Sequence, residues 1–149
     1  MSGKTIIIGI GNRYRGDDSL GRIIARSINE RAGLKVLEHN GEMASLIDSW
    51  QGYDKVILAD TVMSGNPAGT IISLNLHQTT LPDNFKLTST HGFGVAEAVE
   101  LARVLHQLPK EIFFYGIEGA NFALGEKVSP PLQKNIAQLV EQIMECANA

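Results

Sequence analysis

The chain alternates between short apolar runs and longer stretches in which apolar residues recur every three or four positions. Lys4–Gly9 is a β-branched run of strand length, the pattern of a parallel strand covered on both faces. A helix is predicted to begin near Asp17 or Asp18. Its stripe is Leu20, Ile23, Ile24 and Ile28, with Arg22, Arg26 and Glu30 on other faces, and Gly33 is read as its end. Leu34–Glu38 reads as a second strand. Met43–Trp50 places Leu46, Ile47 and Trp50 at helical spacing before Gly52 breaks the pattern, and Lys55–Asp60 is a third buried strand.

The segment MSGNPAG is turn chemistry, and Thr70–Leu76 alternates like a strand with one wet face. His77–Leu87 reads as a polar loop. Gly92–His106 carries Val95, Val99, Ala102 and Leu105 on one helical stripe, and Pro109 stops it. Glu111–Ile117 is a fifth strand, followed by a loop rich in small residues from Glu118 to Ser129. The cap signal Ser129–Pro130–Pro131 opens a last helix with the stripe Leu132, Ile136, Leu139, Val140 and Ile143.

Strands alternating with helices predict an α/β three-layer sandwich around a mostly parallel five-stranded sheet. The link before Thr70 is too short for a parallel crossover, which needs about a dozen residues. The fourth strand is therefore expected antiparallel at an edge, in the order 2-1-3-5-4. One domain over residues 1–149 is the simplest organisation.

Composition narrows the classes. Thirteen basic against sixteen acidic residues leave a net charge of −3, with no basic tail to suggest nucleic acid. The single cysteine, Cys146, allows no internal disulfide and no cysteine-rich metal site. The run Ile6–Ile10, interrupted by Gly9, is too short for a signal sequence or a membrane span. A cytoplasmic monomer that meets no membrane is expected.

Ligands of such sheets bind beyond the carboxyl ends of the strands. The first strand-to-helix turn sits there, but Asp17 and Asp18 stand where a phosphate-binding loop would carry lysine and hydroxyl. Two carboxylates repel phosphate and attract a cation. Asp60 and His91 fall at the same predicted edge, and a carboxylate–carboxylate–imidazole set suits a divalent metal. Asp17 is read as a helix cap and Asp18 as the cation-facing acid. Asp60 is equally explained by a buried hydrogen bond, and His91 by a cap or a solvated loop. Glu118 is read as support for the site and Asn12 as a turn residue. His39 and His77 are weaker candidates, and His106 belongs to a helix surface. A dinucleotide site remains an alternative through Gly9, Gly11 and Glu38, although Tyr14 occupies the position of the third glycine of G-x-G-x-x-G.

The motifs GIGNRYRGDDSLG, VILADTV, STHGFGVAEAV and GIEGANFALGEKVSPPL run nearly end to end. Together they resemble the hydrogenase maturation endopeptidases, which trim the C-terminal extension from the large-subunit precursor of nickel-iron hydrogenases. The resemblance implies a phosphorylase/hydrolase-like α/β fold, with Asp18, Asp60 and His91 as both the catalytic and the metal-contacting residues. It also implies that nickel arrives within the hydrogenase large-subunit precursor and acts as Lewis acid or nucleophile source on the scissile bond. Two positions depart from the family pattern: Ser19 replaces a usual glycine, and Arg13 replaces a proline or apolar residue. A non-catalytic nickel-checkpoint protein and a nucleotide-binding domain are the alternative functions.

Overall fold

In a computed structural model, residues 3–11, 19–82, 86–87, 95–120 and 128–149 are described. The elements are β1 (Thr5–Ile10), α1 (Leu20–Ser27), β2 (Leu34–His39), α2 (Met43–Ser49), β3 (Lys55–Met63), β4 (Ile71–Asn75), β5 (Lys86–Leu87), α3 (Val95–Val104), β6 (Glu111–Glu118) and α4 (Pro130–Asn148). The five longer strands lie in the order β2-β1-β3-β6-β4, with β4 antiparallel to β6 at the edge, as the hydropathy pattern predicts.

The runs in β1 and β3 are continuous because both strands are central. All six residues of β1 are buried, and so are eight of the nine in β3. Alternation divides their side chains between two cores. Ile6, Ile8, Ile10, Val56, Leu58 and Val62 pack with α2 and α3 on one face. Ile7, Ile57 and Ala59 pack with α1 and α4 on the other. Lys55 opens β3 with its stem buried, and its Nζ donates to the Cys146 carbonyl at 2.7 Å, near the C-terminal end of α4 where a cation is favoured.

Several boundaries differ from the sequence reading. The predicted start of α1 at Asp17 or Asp18 lies outside the described residues. Its end is Ser27, not Gly33: Ile28 turns extended and buries its side chain, while Ser27 Oγ donates to the Ile23 carbonyl. Gly33 instead takes φ +81° in the turn that leads into β2. The last residues of α3 end in a Schellman turn. His106 adopts φ +57°, its N–H meets the Arg103 carbonyl, and the Gln107 N–H meets Ala102 at 2.7 Å. The polar loop contains β5, whose two residues pair antiparallel with Val62 and Met63. The third strand does not stop at Asp60. It continues to Met63 because β6 pairs with it as far as Glu118 and β5 supports its other side.

Candidate active site

Four parallel strands end at one edge of the sheet, at Ile10, His39, Met63 and Glu118. Asp60 stands just inside this edge. It is fully buried, and its Oδ1 accepts the backbone N–H of Thr61 at 2.8 Å. It shares the strand face of Leu58 and Val62, so it points to the α2/α3 side. Opposite it on β6 is Gly116, where a methyl group would come within 2.9 Å of the Phe114 ring. An acid enclosed by apolar strand residues is costly unless hydrogen bonds or a cation compensate it.

Asp18 and His91 lie outside the described residues, as do Asp17 and Asn12. Their described flanks are placed. Ser19 precedes α1 where that helix leaves the carboxyl edge of β1, and Val95, four residues after His91, begins α3 on the face to which Asp60 points. Among the described residues, no group of three or more His, Cys, Asp or Glu side chains is arranged to hold a metal ion.

The other histidines are committed elsewhere. His39, half-buried at the end of β2, accepts the Gly41 N–H through Nδ1 at 2.8 Å, and its Nε2 lies 3.1 Å from Ser45 Oγ. Nδ1 is thus the acceptor and Nε2 carries the proton. Burial holds its pKa below the ordinary value, with Glu42 opposing the shift. His77 donates through Nε2 to the Pro109 carbonyl at 2.7 Å, at the opposite edge of the sheet. His106 is exposed in the turn that ends α3.

Glu118, read from the sequence as support for the site at the start of a loop, is the last residue of β6 and is buried. Its carboxylate takes two bonds from Ser64: the backbone N–H to Oε2 at 2.9 Å and the hydroxyl to Oε1. Ser64 carries no sequence signal for this role, because the contact spans 54 residues. On the outer side of the sheet, α1 and α4 flank a groove of about 740 Å³ whose walls include Ser19, Ile23, Ile136 and Val140. No helix among the described residues is long and apolar enough to cross a membrane.

A comparison with known families decides the class. Residues 21–147 match the HycI family, described as hydrogenase maturation protease. The chain belongs to the hydrogenase maturation protease family. The matched span includes Asp60 and His91 and begins three residues after Asp18. HupD of Thiocapsa roseopersicina, a hydrogenase expression/formation protein, is 22% identical over 147 residues, 95% of this chain. The chain spans 66% of HupD's own length. Protein FrxA of Pyrococcus furiosus is 28% identical over 131 residues, 87% of this chain and 94% of FrxA. In fold, the hydrogenase maturating endopeptidase HybD of E. coli superposes with a TM-score of 0.78 at 18% identity, over 97% of this chain and 92% of HybD. HybD of Thermococcus kodakarensis gives a TM-score of 0.78 at 23% identity, over 97% and 99%. Family membership makes the chain a hydrolase of the protease class that serves hydrogenase maturation.

Proposed function

We propose that this protease removes the C-terminal extension of a nickel-loaded hydrogenase large-subunit precursor. One observation carries the reading within the family: a fully buried carboxylate, Asp60, held at the carboxyl edge of a parallel sheet. Asp18 precedes α1 and His91 precedes α3 in the sequence, and we assign them to the same site. Nickel enters as part of the substrate. Two carboxylates and an imidazole lack the soft thiolates that would compete for it, so they complete its shell without extracting it. When bound, the nickel would supply either Lewis-acid polarisation of the scissile carbonyl or activation of the attacking water. Asp60 contributes a buried anion whose interaction with a cation is strengthened by its low-dielectric surroundings. Hydrolysis adds water across the peptide bond, leaving a new carboxylate on the large subunit and a free amine on the released tail.

Side-by-side incubation of the protease with nickel-loaded and nickel-free precursor tests the reading, with the tail's mass followed over time and no nickel added. Cleavage of the loaded form alone is the expected result. Equal cleavage of both forms would show that the metal is not read. Tight binding without shortening of the precursor would favour the checkpoint alternative.

A further inference from the structure

We propose that Glu118 is a positioning residue for this reaction, acting through Ser64 to fix how β3 leaves the sheet beyond Asp60. The inference rests on the assignment of Asp60 to the site. Its basis is a topological crossing. Because β6 lies between β3 and β4, the chain leaving β3 must pass over the carboxyl end of β6 to reach β4. Residues 64–70 make that crossing, and they do so at Glu118.

Four hydrogen bonds join the crossing segment to this residue. The Ser64 N–H and hydroxyl donate to the two carboxylate oxygens, the Gly69 N–H donates to the Glu118 carbonyl at 2.8 Å, and the Glu118 N–H donates to the Thr70 carbonyl at 2.8 Å. The Ser64 hydroxyl is itself oriented by Asn66, whose Nδ2 donates to it at 2.9 Å. On the far side, Asn135 of α4 donates to the Gly69 carbonyl at 2.7 Å. The crossing is thus fastened at both ends, with a 3% exposed carboxylate as its inner anchor.

Asp60 lies four residues before Ser64. Its side chain accepts from the neighbouring Thr61 N–H, so its aim follows the local backbone of β3. That backbone is paired with Gly116–Glu118 on one side. Removing the carboxylate releases Ser64, the residue just beyond the paired end of β3, while the backbone bonds of Gly69, Glu118 and Gly119 remain. A displacement of about 1 Å at a reacting group can cost on the order of a hundredfold in rate. Both Glu118 oxygens are engaged by Ser64, the arrangement of a residue that supports the chain around it.

The test is a set of three variants, Glu118→Ala, Glu118→Gln and Ser64→Ala, assayed on nickel-loaded precursor with thermal unfolding measured in parallel. Glutamine can accept the Ser64 N–H through its carbonyl and donate to the hydroxyl, so it preserves the clamp without the charge. We expect Glu118→Ala to lower kcat by about ten- to a hundredfold with KM within about threefold, because positioning is lost while substrate binding is not. Glu118→Gln should recover most of that loss. Ser64→Ala should lower kcat in the same direction by less, since its backbone N–H still donates. A folded Glu118→Ala with wild-type kcat overturns the proposal, and so does a folded Glu118→Gln as slow as the alanine variant. If Glu118→Ala does not fold, the other two decide: wild-type kcat in Ser64→Ala, or strong loss in folded Glu118→Gln, overturns it. Full activity of Asp60→Asn would instead remove the site assignment, a separate failure from that of the clamp.

Discussion

Gly9 and Gly21 touch so closely that neither can carry a side chain. A methyl group on Gly9 would lie 2.1 Å from the Gly21 carbonyl oxygen, and one on Gly21 would lie 2.3 Å from the Ile10 carbonyl oxygen. The first turn of α1 is therefore seated directly on the end of β1.

Alanine at either glycine should displace α1 from β1. Backbone blocks the added methyl in both cases, so relief requires a shift of the whole element. Overpacking of this kind typically costs about 1–3 kcal/mol and sometimes more. Urea unfolding should show the loss, together with reduced precursor cleavage. Gly33→Ala is the control: nothing lies within 4 Å of its added methyl, but its φ of +81° penalises a side chain. It should cost about 1–2 kcal/mol and leave cleavage by the folded fraction unchanged.

Asp60→Asn should abolish precursor processing while the protein stays folded. The replacement is nearly isosteric, and its carbonyl can still accept the Thr61 N–H that Asp60 accepts at 2.8 Å. What it loses is the negative charge. His91→Ala should have the same effect on processing, whereas Asp17→Asn should do much less, because a neutral asparagine still caps a helix. Mass spectrometry of the precursor, paired with circular dichroism of each variant, separates lost chemistry from lost folding.

Stability should fall on mild acidification through His39. Burial keeps its folded pKa below the unfolded value, and its Nδ1 is occupied as an acceptor for Gly41 N–H. The unfolded chain thus binds the proton more readily. The stabilisation is complete above the unfolded value of about 6.5 and is lost as pH falls through the lower folded value. Urea midpoints at pH 7.5 and 5.5 should differ more for the wild type than for His39→Gln. Equal differences would show that this ring does not titrate with folding.

Cys146 should react slowly with thiol reagents. Burial raises its pKa, outweighing the hydrogen bond from Tyr115 and the charge of Lys55, which lower it. Burial, more than the neighbouring Cys146, likewise pushes the Tyr115 phenol up to about 12. Both groups are neutral at pH 8, and the thiolate is the reactive form. Alkylation at pH 8 should run about tenfold or more slower than for free cysteine, and urea should abolish the difference.

Much of the fold was legible because each element is written in a local period. The runs at Ile6–Ile8 and Val56–Ala59 could only be covered on both faces, and the short link before Thr70 dictated an antiparallel edge strand. Boundaries were less legible where tertiary pairing extends or shortens an element. Asp60 looked like a strand end because the apolar run stops there, yet pairing with β6 as far as Val62 and with β5 at Met63 carries β3 on. Gly33 looked like a helix stop, yet Ile28 leaves the helix five residues earlier to bury its side chain.

The sequence by itself determined that Asp60 follows an apolar strand run and that an acid pair and a histidine precede helical patterns, because these depend on residue type and on local periodicity. Tertiary structure decided the contacts between distant positions. Gly9 meets Gly21 because α1 folds back onto β1, and Glu118 meets Ser64 because the β3–β4 connection must pass over β6. Neither contact leaves a trace in local periodicity, since each depends on the path of the chain through the sheet and not on the neighbours of a residue in sequence.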